Sequence, residues 1–441
     1  MTNLPATLKR RSPLLVVALC FAVIVLDGYD LMIFGAIVPV LLEFPQWGLG
    51  PSEVGIIGSL TTFGMLVGAL LVGTLSDIFG RRRVFMASTI WFSAMTLLSA
   101  LAPTPELFGL LRLLAGLGLG GVMPTAIALT VEYAPANRKQ FYNAMMFVGY
   151  SVGGVLAALL ALILVQPLGF RWLIAFGAVP GILLVPVIAK YLPESMSYLA
   201  RRGQTGRAEE LSRTYGIELA STGREQEAGR TGAFRYLLGP RRLRPLALFS
   251  TASFAGLLLV YGLNTWLPQI MRSAGYPLGS SISFLLVLNL GAVLGTICSA
   301  ALADRVGSRI AVTLAFLAAV ATLVGLSLQP SAGLLYVFVA LAGLGSIGTQ
   351  ILVNGYAAAY FPAWTRGTAV GITLGIGRLG AVVAPLLVGM ILDSNLSFEW
   401  NFYAFLLAAA LGLVAILLIP RGKTTAAQQA TAIGSAAAPA P

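Results

Sequence analysis

Twelve apolar runs set the fold of this chain. They lie at about residues 14–42, 53–75, 84–102, 107–133, 139–165 and 171–190 and, after a polar connection, at about 246–271, 280–303, 310–328, 332–360, 367–392 and 399–420. Hydrocarbon offers the backbone no water, so runs of ~20 apolar residues can cross it only as helices. Of 441 residues 58% are apolar and 10% charged, where a soluble domain would carry ~25% charged, so the spans leave no large soluble domain. The expected fold class is an all-α membrane protein with twelve transmembrane helices. The 50 glycines suit close helix packing in lipid. Cys20 and Cys298 both fall in apolar runs and read as core residues, not as a disulfide pair. The basic start, Met1 to Arg11, precedes a run too long for a cleaved signal peptide, so that run is taken as the first span.

Positive charge predicts the orientation. All but four of the 28 Lys and Arg fall at alternate connections on one side, among them Lys9 to Arg11, Arg81 to Arg83, Arg138 with Lys139, and the series from Lys190 to Arg244. Arg305, Arg309, Arg366, Arg421 and Lys423 complete that side, against only Arg171 and Arg272 on the other. The positive-inside rule makes both termini and the central connection cytoplasmic. The net charge of +12 is thus a topology signal, and its dispersal over seven segments argues against a nucleic-acid surface.

Two arginines, Arg112 and Arg378, stand inside spans, as do the acids of Asp27-Gly28-Tyr29-Asp30. An acidic side chain at bilayer depth is expensive unless it faces a cavity or a cation, so such residues mark ion or substrate paths. At i, i+3 the two aspartates share one helix face. A rise of ~1.5 Å per residue puts Asp27 and Arg378 near the middle of a ~30 Å core, with Asp30 and Arg112 a level above. The bland alternative is a pair buried only for packing, though such pairs seldom add net stability.

An internal repeat organises the spans. Asp77 and Asp304, Gly80 and Gly307, Arg82 and Arg309, Pro135 and Pro362, Gly116 and Gly343, and Gly35 and Gly262 all lie 227 residues apart. One offset recurring in three regions points to a duplicated six-helix unit, hence to two pseudo-symmetric bundles working by alternating access around a midplane site. At the same offset Asp27 meets Phe254 and Glu132 meets Ala359, so the ionisable groups concentrate in the first half. The divisions read from this pattern are 1–190 for the first bundle, 191–245 for a cytoplasmic linker, 246–420 for the second bundle and 421–441 for a disordered cytoplasmic tail.

The run GTLSDIFGRRR from Gly73 to Arg83 resembles the loop signature of the major facilitator superfamily between its second and third helices. Arg112 with Gly116 and Gly118 is similar to that superfamily's fourth-helix pattern, and Glu132, Pro135 and Arg138 resemble the stretch closing it. GYSVGG from Gly149 lacks the Gly-Pro pair of the drug antiporters. The Asp-Gly-Tyr-Asp of the first span, LRLLAGLGLGGVMPTAIALTVEY and Gly377-Arg378 resemble the aromatic acid:proton symporters. The resemblance implies uptake of benzoate-like or hydroxybenzoate-like anions, protocatechuate and gentisate among them, into a bacterial cell across its cytoplasmic membrane. Its partners would be the aromatic carboxylate, protons and the lipid bilayer, with no nucleic acid. The alternatives are another organic anion or drug:proton antiport on the same fold.

The residues suit that chemistry. Arg378 is the first choice to bind a carboxylate bidentately, with Arg112 the second. Tyr29, Tyr150 and Asn289 lie at similar depth and are candidates to line the ring or bind its hydroxyls, although a mid-span Tyr or Asn also serves as a helix-to-helix hydrogen bond. Trp172, Trp266 and Trp400, near span ends, suit the interfacial aromatic belt. Because the chain has no histidine, proton coupling has to use carboxylates. Asp27 or Asp30 would take up a proton as the substrate occupies the arginine, neutralising the loaded carrier so that it can reorient.

Gly73, Asp77 and Gly80 with Arg81 and Arg82, and Glu132 with Arg138, are expected to form a charge-paired gate at the cytoplasmic ends of the first-half helices, with Asp304 and Arg309 a reduced second copy. In the connection, Pro193-Glu194-Ser195 ends the sixth span, and Ala208 to Tyr215 suits a short amphipathic helix at the inner surface. No metal cluster, nucleotide-binding loop, catalytic constellation or signalling domain is visible, which argues against an enzyme or sensor and for no cofactor.

Overall fold

The computed structural model describes residues 12–135, 139–217, 230–328, 330–394 and 396–420. Arg138, Lys9 to Arg11 and the stretch 421–441 lie outside the described residues. Six spans come first: α1 (Pro13–Leu42), α2 (Pro51–Phe79), α3 (Arg81–Ala100), α4 (Pro105–Tyr133), α5 (Lys139–Leu168) and α6 (Phe170–Tyr191). The polar connection carries α7 (Met196–Arg201), α8 (Thr205–Tyr215) and α9 (Arg230–Leu237). Six more spans follow: α10 (Pro240–Ser273), α11 (Leu278–Val306), α12 (Ser308–Ser327), α13 (Ala332–Tyr360), α14 (Ala363–Asp393) and α15 (Glu399–Leu418). All twelve are long and apolar enough to cross a membrane, so the chain is a multi-pass membrane protein. Side chains such as Leu183 and Leu407, 67% and 73% exposed, face outward, where lipid replaces water.

The spans pack as two bundles. In the first, α1 lies on α5, α2 on α4, and α3 on both α4 and α6; in the second, α10 lies on α14 and α15, α11 on α13, and α12 on α13 and α15. The internal repeat is preserved in the seams α2·α4 and α11·α13. A Cβ on Gly64, Gly68 or Gly116 would stand 2.2, 2.1 and 2.1 Å from the carbonyl oxygens of Leu113, Leu117 and Thr61, so α2 and α4 touch backbone to backbone. Their counterparts 227 residues on, Gly291, Gly295 and Gly343, meet Ala340, Leu344 and Leu288 at 2.1, 2.2 and 1.9 Å. The tight turns between α2 and α3 and between α11 and α12 also correspond, each made by a glycine with positive φ, Gly80 at 97° and Gly307 at 84°.

The bundles meet along α2·α14, α5·α11 and α1·α10. On the side opposite the basic loops, Ser52 Oγ donates to Asp393 Oδ2 at 2.6 Å, Ser59 Oγ to the Val382 carbonyl at 2.7 Å, and Arg272 Nη2 to Glu43 Oε1 at 2.6 Å. Toward the basic side the α2·α14 contact does not continue at Gly73, Gly367 and Gly371, whose Cβ positions have no heavy atom within 4 Å. The structure is closed on the far side and parted on the basic side.

Two expectations are corrected by this packing. Trp266 is fully buried, its indole N–H donating to the Pro385 carbonyl at 2.9 Å across α10 and α14, whereas Trp172 and Trp400 are exposed as a belt position requires. Cys20 is buried, but Cys298 sits on an exposed face of α11, and both are free thiols.

Candidate functional site

The acidic turn of α1 is held against α5 by two glycines. A Cβ on Gly28 would lie 2.1 Å from the Tyr150 carbonyl, and one on Gly153 2.1 Å from that of Val25. Only glycine allows this approach, which sets Asp27 and Tyr150 against each other in the interior. Asp27 and Asp30 are 0% and 1% exposed.

The two acidic levels differ in how they are satisfied. At the upper level, Arg112 Nη1 donates to both oxygens of Asp30 at 2.9 Å and Nη2 to the Asp30 carbonyl at 3.3 Å. Thr96 Oγ1 donates to Asp30 Oδ1 at 3.0 Å, Arg112 Nε donates to Thr61 Oγ1 at 3.3 Å, and the guanidinium lies 5.7 Å from the centroid of the Phe34 ring. That cluster is closed on itself. At the lower level, neither oxygen of Asp27 has a hydrogen-bond partner, and among the described residues Arg378 makes no direct ion pair. Asp27, Tyr150, Tyr261 and Arg378 are close enough to interact electrostatically, and the Tyr150 and Tyr261 hydroxyls lie against each other. An unpaired buried carboxylate facing an arginine across the bundle interface is a costly arrangement for packing alone.

A narrow pocket adjoins these groups. It is lined by Met32 and Phe34 of α1, Thr61 and Thr62 of α2, Arg112 of α4, and Tyr261, Asn264 and Thr265 of α10. The free space inside it is about 10 Å³, room for a water molecule and far below the ~300–1,000 Å³ usual for small-molecule sites. Tyr261 joins the pocket to the lower level, since it both lines the pocket and interacts with Arg378 and Asp27.

Of the residues singled out from sequence, Asp27, Tyr150 and Arg378 are brought together, and Asp30 and Arg112 are paired one turn away. Tyr29 points elsewhere: its hydroxyl donates to the Leu173 carbonyl at 2.8 Å and its ring covers Gly177, tying α1 to α6. Asn289 is buried behind the pocket, where its Nδ2 donates to Asn264 Oδ1 at 3.0 Å. Tyr261, Asn264 and Thr265 escaped the sequence reading, although their i, i+3, i+4 spacing marks a polar stripe in an apolar span. Gln350 and Ser253, hydrogen-bonded at 2.9 Å beside Gly377, were missed as well.

On the basic side the partners differ from those expected. Asp77 pairs with Arg201 of α7 at 2.9 Å. Arg81 pairs with Glu132 at 3.2 Å, and Glu132 also accepts from the Ser197 N–H at 2.6 Å and hydroxyl at 2.8 Å. The Arg82 N–H donates to Glu194 Oε1 at 2.9 Å and its guanidinium reaches the Ala189 carbonyl. The reason is that α7 docks on α2 and α4 and presents its own donors there. Asp304 is exposed, and Arg309 donates to the Leu417 carbonyl at 2.9 Å. The expected partner of Glu132, Arg138, lies outside the described residues. Among the described residues no cluster of His, Cys, Asp and Glu could hold a metal ion.

Comparison with known proteins agrees with this architecture. The sequence profile of the Major Facilitator Superfamily matches residues 20–332 and 290–441. The benzoate transport protein of Acinetobacter baylyi is 36% identical over 92% of this chain and 89% of its own length, and the gentisate transporter of Corynebacterium glutamicum 37% over 91% and 86%. Among solved structures, the partially occluded inward-open xylose transporter XylE of Escherichia coli superposes with a TM-score of 0.73 at 15% identity, covering 93% of this chain and 99% of that one. Twelve spans in two repeated bundles, a profile match along almost the whole length and relatives above 30% identity that are themselves transporters lead to one assignment: the chain is a transporter of the Major Facilitator Superfamily.

Proposed function

We propose that the protein imports aromatic carboxylic acids, of the benzoate, hydroxybenzoate, protocatechuate or gentisate type, together with protons by alternating access. The observation that carries this reading is the unpartnered carboxylate of Asp27 facing Arg378 across the bundle interface. An incoming carboxylate would take the Arg378 guanidinium bidentately and weaken its hold on Asp27, which would then accept a proton. The loaded carrier becomes electrically neutral at that site and can reorient. Tyr150 and Tyr261 suit the ring, having both a flat apolar face and a hydroxyl. The names of the benzoate and gentisate relatives support the substrate class.

In this reading the basic side is cytoplasmic, the membrane is the bacterial inner membrane, and both termini lie inside. The bundles correspond to 1–190 and 246–420, with 191–245 as linker and 421–441 as tail. The ion pairs Arg81–Glu132 and Asp77–Arg201 brace the inner end of the first bundle through α7 and act in gating, as do Gly73, Gly80 and Arg82; Asp304 and Arg309 are the weaker second copy. Tyr29 serves as a helix tie.

The test is uptake of radiolabelled benzoate and 4-hydroxybenzoate into proteoliposomes with an imposed pH gradient, for the wild type and Asp27→Asn. Wild-type accumulation that collapses with the gradient, and a variant that exchanges substrate without concentrating it, are expected. Undiminished gradient-driven accumulation by Asp27→Asn would refute the proton assignment; absence of any aromatic acid uptake by the wild type would refute the substrate class.

A further inference from the structure

The pocket above the Asp27–Arg378 level is polar in a way that the carboxylate chemistry leaves unused. Asn264 is 4% exposed and lies well inside an apolar span. Its Nδ2 donates to the Val260 carbonyl at 2.8 Å, and its Oδ1 accepts from Asn289 at 3.0 Å. A primary amide has two N–H donors and two acceptor lone pairs, so one donor and one acceptor are left over. The hydroxyls of Tyr261 and Thr265 flank it on the same face of α10, and Thr62 stands opposite on α2. Burying a half-used amide here is unfavourable unless something completes it.

Asn289 fixes this amide in place. It is 1% exposed, anchored to the Leu285 carbonyl at 3.0 Å, and its own Oδ1 has no partner where α11 presses on Gly154 of α5. By donating to Asn264 Oδ1 it keeps that amide aimed into the pocket. Arg112, the cation of the same pocket, is already neutralised by Asp30. What remains for a ligand is therefore a neutral group that both donates and accepts, which is the hydrogen-bonding signature of a hydroxyl.

We infer that Asn264, positioned by Asn289, reads a ring hydroxyl of the substrate and makes this a carrier of hydroxylated aromatic acids in preference to benzoate. This deepens the functional reading above and rests on it. The carboxylate sits at Arg378, the ring lies past Tyr261, and the hydroxyl reaches Asn264, which stands three residues, ~4.5 Å along the axis, beyond Tyr261 toward the far side. That geometry takes a hydroxyl at the 3- or 4-position, away from the carboxylate, and not at the 2-position. A site built to hydrogen-bond a substrate hydroxyl discriminates strongly against the analogue lacking it, because its own polar groups are then left unpaired.

The experiment measures inhibition of labelled 4-hydroxybenzoate uptake by unlabelled benzoate, 2-hydroxybenzoate, 3-hydroxybenzoate and 4-hydroxybenzoate in whole cells. The wild type is expected to prefer the 3- and 4-hydroxy acids over benzoate and 2-hydroxybenzoate by about tenfold or more. That preference should shrink at least about fivefold in Asn264→Leu and in Asn289→Leu, while Asn264→Ser, which keeps a hydroxyl, retains part of it. The ratio is read on whichever variants reach the membrane, and the Ser variant decides if the Leu variants do not. A wild type without the preference, or variants that weaken all four ligands alike, would overturn the inference while leaving aromatic acid transport standing. A wild type that takes up neither labelled 4-hydroxybenzoate nor, in a parallel assay, labelled benzoate removes the functional reading itself, and this inference with it.

Discussion

Arg112 and Asp30 face each other across α4 and α1 with one guanidinium nitrogen 2.9 Å from both carboxylate oxygens, and both side chains are almost wholly buried. Removing one partner leaves an uncompensated charge in the bundle, at a cost of ~3–5 kcal/mol, whereas removing both leaves none. Arg112→Gln alone and Asp30→Asn alone should therefore lower the melting temperature in detergent markedly. The double variant should recover much of the loss, and a double variant no more stable than either single would contradict the pairing.

In the proposed transport cycle Arg378 holds the substrate carboxylate by its forked geometry rather than by charge alone. Arg378→Lys keeps the charge and loses the fork, so the KM for 4-hydroxybenzoate should rise about tenfold or more in counterflow, with protein abundance unchanged. A KM within twofold of the wild type would remove Arg378 from the binding role.

The far side is latched between bundles by Glu43 and Arg272, 2.6 Å apart, and by Ser52 and Asp393. Glu43 and Arg272 are half exposed, and such pairs contribute only ~0.2–1 kcal/mol, which bounds the effect at about fivefold in population. Glu43→Arg should shift the carrier toward the state open on that side, and combining it with Arg272→Glu should restore the balance. Labelling of a cysteine placed at position 371, on the parted basic side, reads the shift: slower in the single variant, restored in the double.

The glycine seams predict a contrast. Gly64→Ala and its repeat counterpart Gly291→Ala force backbones apart and should each lower stability by ~1–3 kcal/mol. Gly371→Ala, with nothing within 4 Å of its Cβ position, should stay within ~0.5 kcal/mol of the wild type. Thermal melts of the three purified variants suffice.

Much of this architecture was legible in the sequence because the bilayer enforces it. Span limits came within a few residues, and the ~1.5 Å rise put Asp30 near the depth of Arg112, to which it is paired. Contacts set by docking were not legible. Arg201 reaches Asp77, and Ser197 reaches Glu132, only because α7 folds back on the first bundle, which no local spacing announces. Tyr29 was misjudged for a related reason: depth fixes how far a side chain lies along the axis, but not which neighbour it faces. Asn264 pairs with Asn289 from another helix, so neither span alone reveals the amide couple. The repeat offset held a clue, because it matches Asn289 with Thr62, which lines the same pocket.

The six glycines that fuse α2 to α4 and α11 to α13 lie at equivalent places in the two halves, and none of them lines the pocket. Rigidity and recognition are thereby assigned to separate sets of residues. A lineage can exchange the side chains that greet the cargo while the chassis keeps its stiffness, so new cargoes are open to such a carrier without a new way of folding.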